Sequence, residues 1–167
     1  MKIYRMAEDD VLDYLNTVLS LEENEEINSY NIRWGVLLQA DSNGEYDPSE
    51  YLSSTLPYTV KICSPKDVVL KNIDVEVVID EYYWNACRED IEKVALMHSI
   101  VACVTAKKDK EGYPTVNDNG RVKLKLVKPD ICYAGNSYIA ELYGSDSVEV
   151  KILRHLKSYY SEVFNLI

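Results

Sequence analysis

The residue with the clearest chemical potential in this sequence is His98, which lies in an apolar stretch over residues 91–104. The periodicity of that stretch predicts a buried helix. A catalytic zinc helix carries a glutamate directly after its first histidine and a second histidine four residues after the first, so that both imidazoles lie on one face. Here Ser99 follows His98, and Ala102 occupies the second position. The sequence therefore predicts a site without its general base and without one of its ligands.

The chemistry that remains at this position is too little for hydrolysis. Catalytic zinc usually has about three protein ligands, and a serine hydroxyl is a poor base for a metal-bound water. We therefore expect no catalytic residue, no metal and no cofactor, and we interpret His98 as a core histidine held by one hydrogen bond. The small side chains of Ser99 and Ala102 leave room for another side chain to pack beside them.

One enzymatic alternative stays open, namely a zinc peptidase whose ligands come from non-standard positions. Its candidate ligands are Cys63, Cys132, Asp130 and His155. The four cysteines of the chain form no CxxC pair and lie among apolar or strand-like neighbours. That pattern predicts reduced, mostly buried thiols.

Three runs of sequence surround His98 in a distinctive order. They are DVEVVIDEYYW, REDIEKVALMHSIVACV and KLKLVKPDICYAGNSYIAELYG, over residues 74–84, 88–104 and 123–144. This order resembles a family of phage metallopeptidase-like proteins, in which a strand and a Trp-containing turn precede a helix bearing HExxH. The resemblance implies a degenerate member in which His98 survives, Ser99 replaces the glutamate and Ala102 replaces the second histidine. A further histidine, expected in relatives near Pro129 or Asp130, is missing at both positions.

The resemblance also implies a function, which is that of a non-catalytic phage or prophage protein acting through protein–protein binding in the cytoplasm of a host cell. The charge distribution indicates where a partner would bind. The net charge is −10, and residues 1–50 hold 12 acidic side chains against 3 basic ones. The negative electrostatic field of these side chains opposes direct binding of nucleic acid and favours binding of a basic protein. No apolar run approaches the ~20 residues that a membrane-spanning helix needs.

The candidate binding surface is a set of acidic side chains within the first 26 residues. Its members are Asp9, Asp10, Asp13, Glu22, Glu23, Glu25 and Glu26. These carboxylates either form a solvated face or meet a basic host protein. In the second case an alternative function is mimicry of nucleic acid, by which the protein would inhibit a host nuclease or a defence complex.

The hydrophobic pattern predicts a single α+β domain over residues 1–167. Helical spacing covers residues 7–21, alternation predicts strands near residues 30–39, 58–62 and 73–79, and the buried helix begins near Glu89. Further segments are a basic edge strand or hairpin arm over 121–128 and two helices over 137–143 and 147–164. Together with the resemblance, this order predicts a zincin-like architecture. In it a small, mostly antiparallel sheet of three or four strands packs on the buried central helix, with helices flanking it at the N- and C-terminal ends.

Overall fold

The computed structural model describes residues 1–41, 55–130 and 135–164, with side chains described as far as Ser158. The fold within these ranges is mixed α+β, as predicted. Four strands form the main sheet: β1 (Lys2–Met6), β2 (Trp34–Asp41), β3 (Tyr58–Ile62) and β4 (Val75–Asp80). A separate hairpin is formed by β5 (Val104–Ala106) and β6 (Leu124–Leu126).

Seven α-helices and two 3-10 turns complete the described chain. The helices are α1 (Asp9–Leu19), α2 (Glu25–Ser29), α3 (Pro65–Lys71), α4 (Glu81–Ala86), α5 (Asp90–Ala102), α6 (Ser137–Tyr143) and α7 (Val148–Phe164). The 3-10 turns are Glu22–Asn24 and Gly144–Asp146. No helix among the described residues combines the length and the apolar character needed to cross a bilayer.

The main sheet is mixed in direction, with strand order β1-β2-β4-β3. Its two outer pairings are antiparallel, as the sequence predicted for most of the sheet, but its central pair, β2 with β4, is parallel. Alternation of apolar and polar residues places a strand and its buried face, but it carries no information on the direction of the neighbouring strand. The predicted count of three strands before the central helix is wrong, because β1 also precedes it.

The predicted buried helix is α5, and its position at the centre of the fold is confirmed. Every residue from Ala95 to Val101 is buried. The same core contains the side chains of four residues from strands β2 and β4, namely Val36, Leu38, Val77 and Ile79. The start of α5 is fixed by Glu92, whose carboxylate accepts hydrogen bonds from the backbone N–H groups just before the helix and forms an ion pair with Lys151 of α7. Helix α5 therefore packs in the core formed with the sheet and is bound to α7 by this ion pair.

The segment over residues 121–128 is only partly as predicted. Lys123 and Lys125 are exposed, as expected for an edge strand. Arg121 is instead half-buried and forms an ion pair with Asp74, which also accepts hydrogen bonds from the side chain and backbone of Arg33. Because Asp74 is only 8% exposed, the two guanidinium groups supply the charge that allows a carboxylate to stay there.

Candidate functional site: two polar networks on the central helix

His98 and Ser99 are adjacent on α5 but belong to two separate polar networks. Successive side chains of a helix point in directions about 100° apart. His98 is 1% exposed and lies between α6 and the turn that follows α1. The amide Nδ2 of Asn24 donates to the Val18 carbonyl at 2.8 Å and lies 3.4 Å from Nε2 of His98. An amide N–H can only donate, so Nε2 accepts and Nδ1 carries the ring proton, which it donates to the Tyr143 hydroxyl at 2.8 Å.

The environment of His98 keeps its imidazole neutral. Burial lowers the pKa of His98, and the carboxylate of Glu23 opposes this only in part. The rings of Tyr138 and Tyr143 lie edge-on to the imidazole, with centroids 6.0 and 5.6 Å away. His98 is therefore buried in the core, and it has a protein partner at each ring nitrogen and not the single hydrogen bond that was expected.

Ser99 begins the second network, on a different face of α5. Its Oγ donates to Oε1 of Glu149 at 2.6 Å and lies 2.6 Å from the hydroxyl of Tyr58. The thiol of Cys103 lies 3.5 Å from the same tyrosine hydroxyl and donates to the backbone carbonyl of Ser99. The expectation that other side chains pack beside Ser99 is therefore confirmed, since Glu149 and Tyr58 both do so.

Glu149 carries a buried carboxyl group, and the sequence pattern did not predict it as a site residue. It lies in the first turn of α7 and is 1% exposed. Burial raises its pKa, although Ser99 and backbone N–H groups donate to it. Its Oε2 has no hydrogen-bond partner among the residues that the structure describes. Gly135 makes room for this side chain, because a Cβ at that position, which has a φ of +97°, would overlap with Cγ of Glu149.

The alternative zinc ligands are not assembled in the described ranges. No group of three or more His, Cys, Asp or Glu side chains there is arranged to hold a metal ion. Cys63 is a buried free thiol after β3, and His155 is half-buried on α7. Asp130 accepts hydrogen bonds from the backbone and side chain of Ser137 before α6. Cys132 lies outside the described residues.

All seven members of the predicted acidic surface are exposed. Asp9 and Asp10 lie in the first turn of α1, and the four glutamates lie beyond its other end. Glu26 forms an ion pair with Lys108 at 2.7 Å, and Glu23 accepts a hydrogen bond from Tyr138. Glu23 and the other five form no ion pair with any described residue. These seven residues are called the acidic surface below.

Comparisons of the chain with protein-family models, with curated proteins and with solved structures found no match.

Proposed function

We propose that this chain is a non-catalytic protein that acts by binding a basic protein partner through the acidic surface. The observation that carries the proposal is that six of its seven exposed carboxylates have no cationic partner among the described residues, since only Glu26 forms an ion pair. Exposed charges of one sign raise the local concentration of oppositely charged partners and steer their approach. A basic protein surface would supply the missing counter-charges.

The proposal includes a phage or prophage origin and descent from a zincin-like scaffold. What supports this part is the placement of His98 on a buried helix that packs on a sheet, with Ser99 at the position of the general base. Glu149 and Tyr58 fill the space beside Ser99. These two side chains occupy space beside Ser99 that a hydrolytic site would keep open for water and substrate.

The partner is first identified by capture on the immobilised chain from cells that encode it, and its affinity is then measured directly. The informative variant is Glu22→Lys/Glu25→Lys, which reverses two exposed charges of the acidic surface. We expect its Kd to rise at least about tenfold, which corresponds to ~1.4 kcal/mol. Wild-type binding should also weaken as salt is raised from about 0.05 to 0.3 M, because screening shortens the reach of exposed charges.

The matched control is Glu111→Lys/Asp118→Lys, which makes the same change in net charge at exposed positions outside the acidic surface. Its Kd should change by less than about threefold. Equal effects of the two variants, or affinity that does not respond to salt, would contradict binding through the acidic surface.

The enzymatic alternative has its own measurement, the zinc content of the purified, untagged protein. We expect no stoichiometric zinc. About one zinc per chain that is lost in His98→Ala would contradict the non-catalytic function, since at least three ligands would then have to converge near His98.

A further inference from the structure

We propose that the outer edge of β1 is a dimerisation surface, on which the β1 strand of a second copy of this chain pairs in the antiparallel direction. All five residues of β1 are exposed. Its large apolar side chains, Ile3, Tyr4 and Met6, are 48%, 52% and 68% exposed. The strand ends the sheet order, with β2 on one side and no described strand on the other. An uncovered edge of this kind is a template for one more strand.

The register with β2 determines which backbone groups of β1 face outward. The amide of Ala7 donates to the carbonyl of Val36 at 3.0 Å, so Ala7 continues the pairing of β1 with β2. In an antiparallel pair, residues that exchange backbone hydrogen bonds alternate with residues whose N–H and C=O groups point away from the partner. Ile3 and Arg5 therefore bond to β2 in the same way as Ala7. The backbone groups that face the open edge belong to Lys2, Tyr4 and Met6.

One symmetric register uses all of these outward groups. A two-fold axis at Tyr4 sets this residue opposite Tyr4 of the second copy, and it sets Lys2 opposite Met6 in both directions. Two hydrogen bonds in each of these three pairs give six between the copies. A slide of two residues in either direction leaves only two pairs. A slide of one residue sets outward groups against groups that are already bound to β2.

The side chains that this register brings together are complementary in charge. Lys2 lies opposite Met6 of the second copy. Arg5 lies opposite Ile3, so neither cation directly faces another. Glu8 has extended backbone two positions beyond Met6, which makes it the diagonal neighbour of Lys2 on the same face. Diagonal neighbours across an antiparallel pair are about 7–8 Å apart, within the reach of long side chains. The two-fold axis therefore creates the Lys2–Glu8 ion pair twice.

Both members of this ion pair are available in each copy. Lys2 forms no ion pair with any described residue. The carboxylate of Glu8 is 79% exposed and contacts Arg5 at 3.4 Å, whereas Arg5 contacts Glu81 more closely, at 2.7 Å. A charged side chain on an edge strand ordinarily opposes pairing with another chain, but here the pairing itself supplies Lys2 with its counter-charge. A strand without a carboxylate at this position would not, which favours a second copy as the occupant.

The first test is sedimentation equilibrium of the full chain at about 10–500 µM, for which we expect a monomer–dimer equilibrium with a Kd of about 10–100 µM. Each copy has a net charge of −10. The measurement is therefore made in about 0.15 M sodium chloride, where the Debye length is ~8 Å and repulsion between the copies is screened. A chain that stays monomeric to the highest concentration would overturn the proposal.

A charge swap tests the register. Lys2→Glu sets two carboxylates on each diagonal and should raise the dimer Kd at least about fivefold, and Glu8→Lys should do the same. The double variant Lys2→Glu/Glu8→Lys should return the Kd to within about twofold of wild type. Within one copy the two residues lie about 20 Å apart along extended backbone, so this rescue arises only between copies. A double variant as weak as the single ones would contradict the register and overturn the proposal.

The matched control for these variants is Lys66→Glu, which makes the same change in charge at an exposed position of α3. Its dimer Kd should differ from that of wild type by less than about twofold. A dimer that Lys2→Glu and Lys66→Glu weaken equally, or that neither weakens, would lie on another surface and would overturn the assignment to β1.

Amide hydrogen exchange, followed by NMR, identifies the strand that pairs. The outward amides of Tyr4 and Met6 should exchange at least about threefold more slowly in concentrated than in dilute samples, because they become bonded only in the dimer. The amide of Arg5 should change less, since it is already bonded to β2. Exchange of Tyr4 and Met6 that does not depend on concentration would overturn the proposal.

The dimer goes beyond the proposed function and is tested separately from it, because neither β1 nor Glu8 belongs to the acidic surface. Protection of Tyr4 and Met6 that appears only when the partner protein is added would assign the edge to that partner and overturn the second copy as its occupant. A β1 dimer in a chain that binds no basic partner would support the dimer and contradict only the proposed function.

Discussion

Glu149 is the residue whose position is hardest to explain by folding alone. A buried carboxylate loses its hydration, and the hydrogen bonds from Ser99 at 2.6 Å and from backbone N–H groups replace only part of it. The free Oε2 then lies in the interior with no partner among the described residues. Burial favours the protonated form, which is why the pKa of this carboxyl is raised. The residue therefore ties folding stability to pH.

The substitution Glu149→Gln tests this account, because glutamine has the shape of the protonated acid and cannot ionise. Since the folded-state pKa of Glu149 lies above its ordinary value of 4.5, wild-type stability declines as the pH rises from about 4.5 through the folded-state pKa. We expect Glu149→Gln to be more stable than wild type at pH 7, by on the order of 1 kcal/mol, and equal to it at pH 4. Chemical denaturation at both pH values measures the difference.

The exposed carboxyl of Glu141 on α6 offers a matched control. Glu141→Gln should change the free energy of unfolding by less than about 0.5 kcal/mol at either pH. If Glu149→Gln raises the free energy of unfolding by the same amount at pH 4 and pH 7, then packing, and not ionisation, causes the difference from wild type.

Sequence reasoning located the two α5 residues of the polar networks, but it missed the partners of Ser99. His98 and Ser99 were conspicuous because a polar pair interrupts an apolar helix. Glu149 lies in SVEVK, where a glutamate near a helix start looks like a favourable first-turn charge. Tyr58 looks like an ordinary strand residue. Their contact with Ser99 joins positions 41 and 50 residues away in the chain, and no local pattern encodes that.

At the scale of elements, Asp74 connects three parts of the fold. It directly precedes β4, binds Arg33 just before β2, and binds Arg121 at the end of the long loop between β5 and β6. Burial opposes its ionisation, but the hydrogen bonds from both arginines outweigh burial and lower the pKa of Asp74 to about 2. The loop over residues 107–123 is thereby held at the end of the sheet where the parallel strands β2 and β4 begin.

Replacement of this carboxylate in Asp74→Asn leaves two guanidinium groups without their anion. We expect a loss of about 2 kcal/mol in the free energy of unfolding at pH 7, from the lowered pKa of the carboxylate. The contribution is fully present above the ordinary value of 3.8 and is lost as the pH falls through about 2, so the difference should shrink in acid. Amide hydrogen exchange across residues 107–123 should also become faster.

Asp118 lies exposed in the same loop and serves as the control for this experiment. Asp118→Asn should leave both stability and amide exchange near the wild-type values. Unchanged exchange in Asp74→Asn would show that the loop is held by its backbone hydrogen bonds to its own strands and not by the arginine.

The elements themselves were predictable to the extent that their patterns are strong and local. Strand β3 and helix α6 were predicted with the bounds that the structure shows, because each has a clear period and clear breaks. Strand β1 was missed because all five of its residues are exposed, so it lacks a buried face. Helix α3 was missed for the same reason, since none of its residues is buried, although Ser64 and Pro65 mark its start.

For the whole molecule, the uneven charge matters more than any single ion pair. Residues 1–50 carry an excess of nine negative charges, whereas the remainder is close to neutral. Exposed ion pairs contribute about 0–1 kcal/mol each and weaken with salt. Repulsion among the carboxylates of the first third weakens with salt as well, and its relief stabilises the fold. With a net charge of −10, we expect the relief of repulsion to stabilise the fold by more than the weakening of the ion pairs destabilises it.

The melting temperature should therefore rise when sodium chloride is raised from about 0.01 to 0.15 M, over which the Debye length falls from ~30 to ~8 Å. Glu22→Lys/Glu25→Lys brings the net charge from −10 to −6, because each reversal adds two positive charges, and should reduce that rise. Glu111→Lys/Asp118→Lys makes the same change in the nearly neutral part of the chain and should reduce it less. Calorimetry of the three proteins separates the possibilities, since an equal salt response in both variants would mean that net charge alone, and not its concentration on the acidic surface, destabilises the fold.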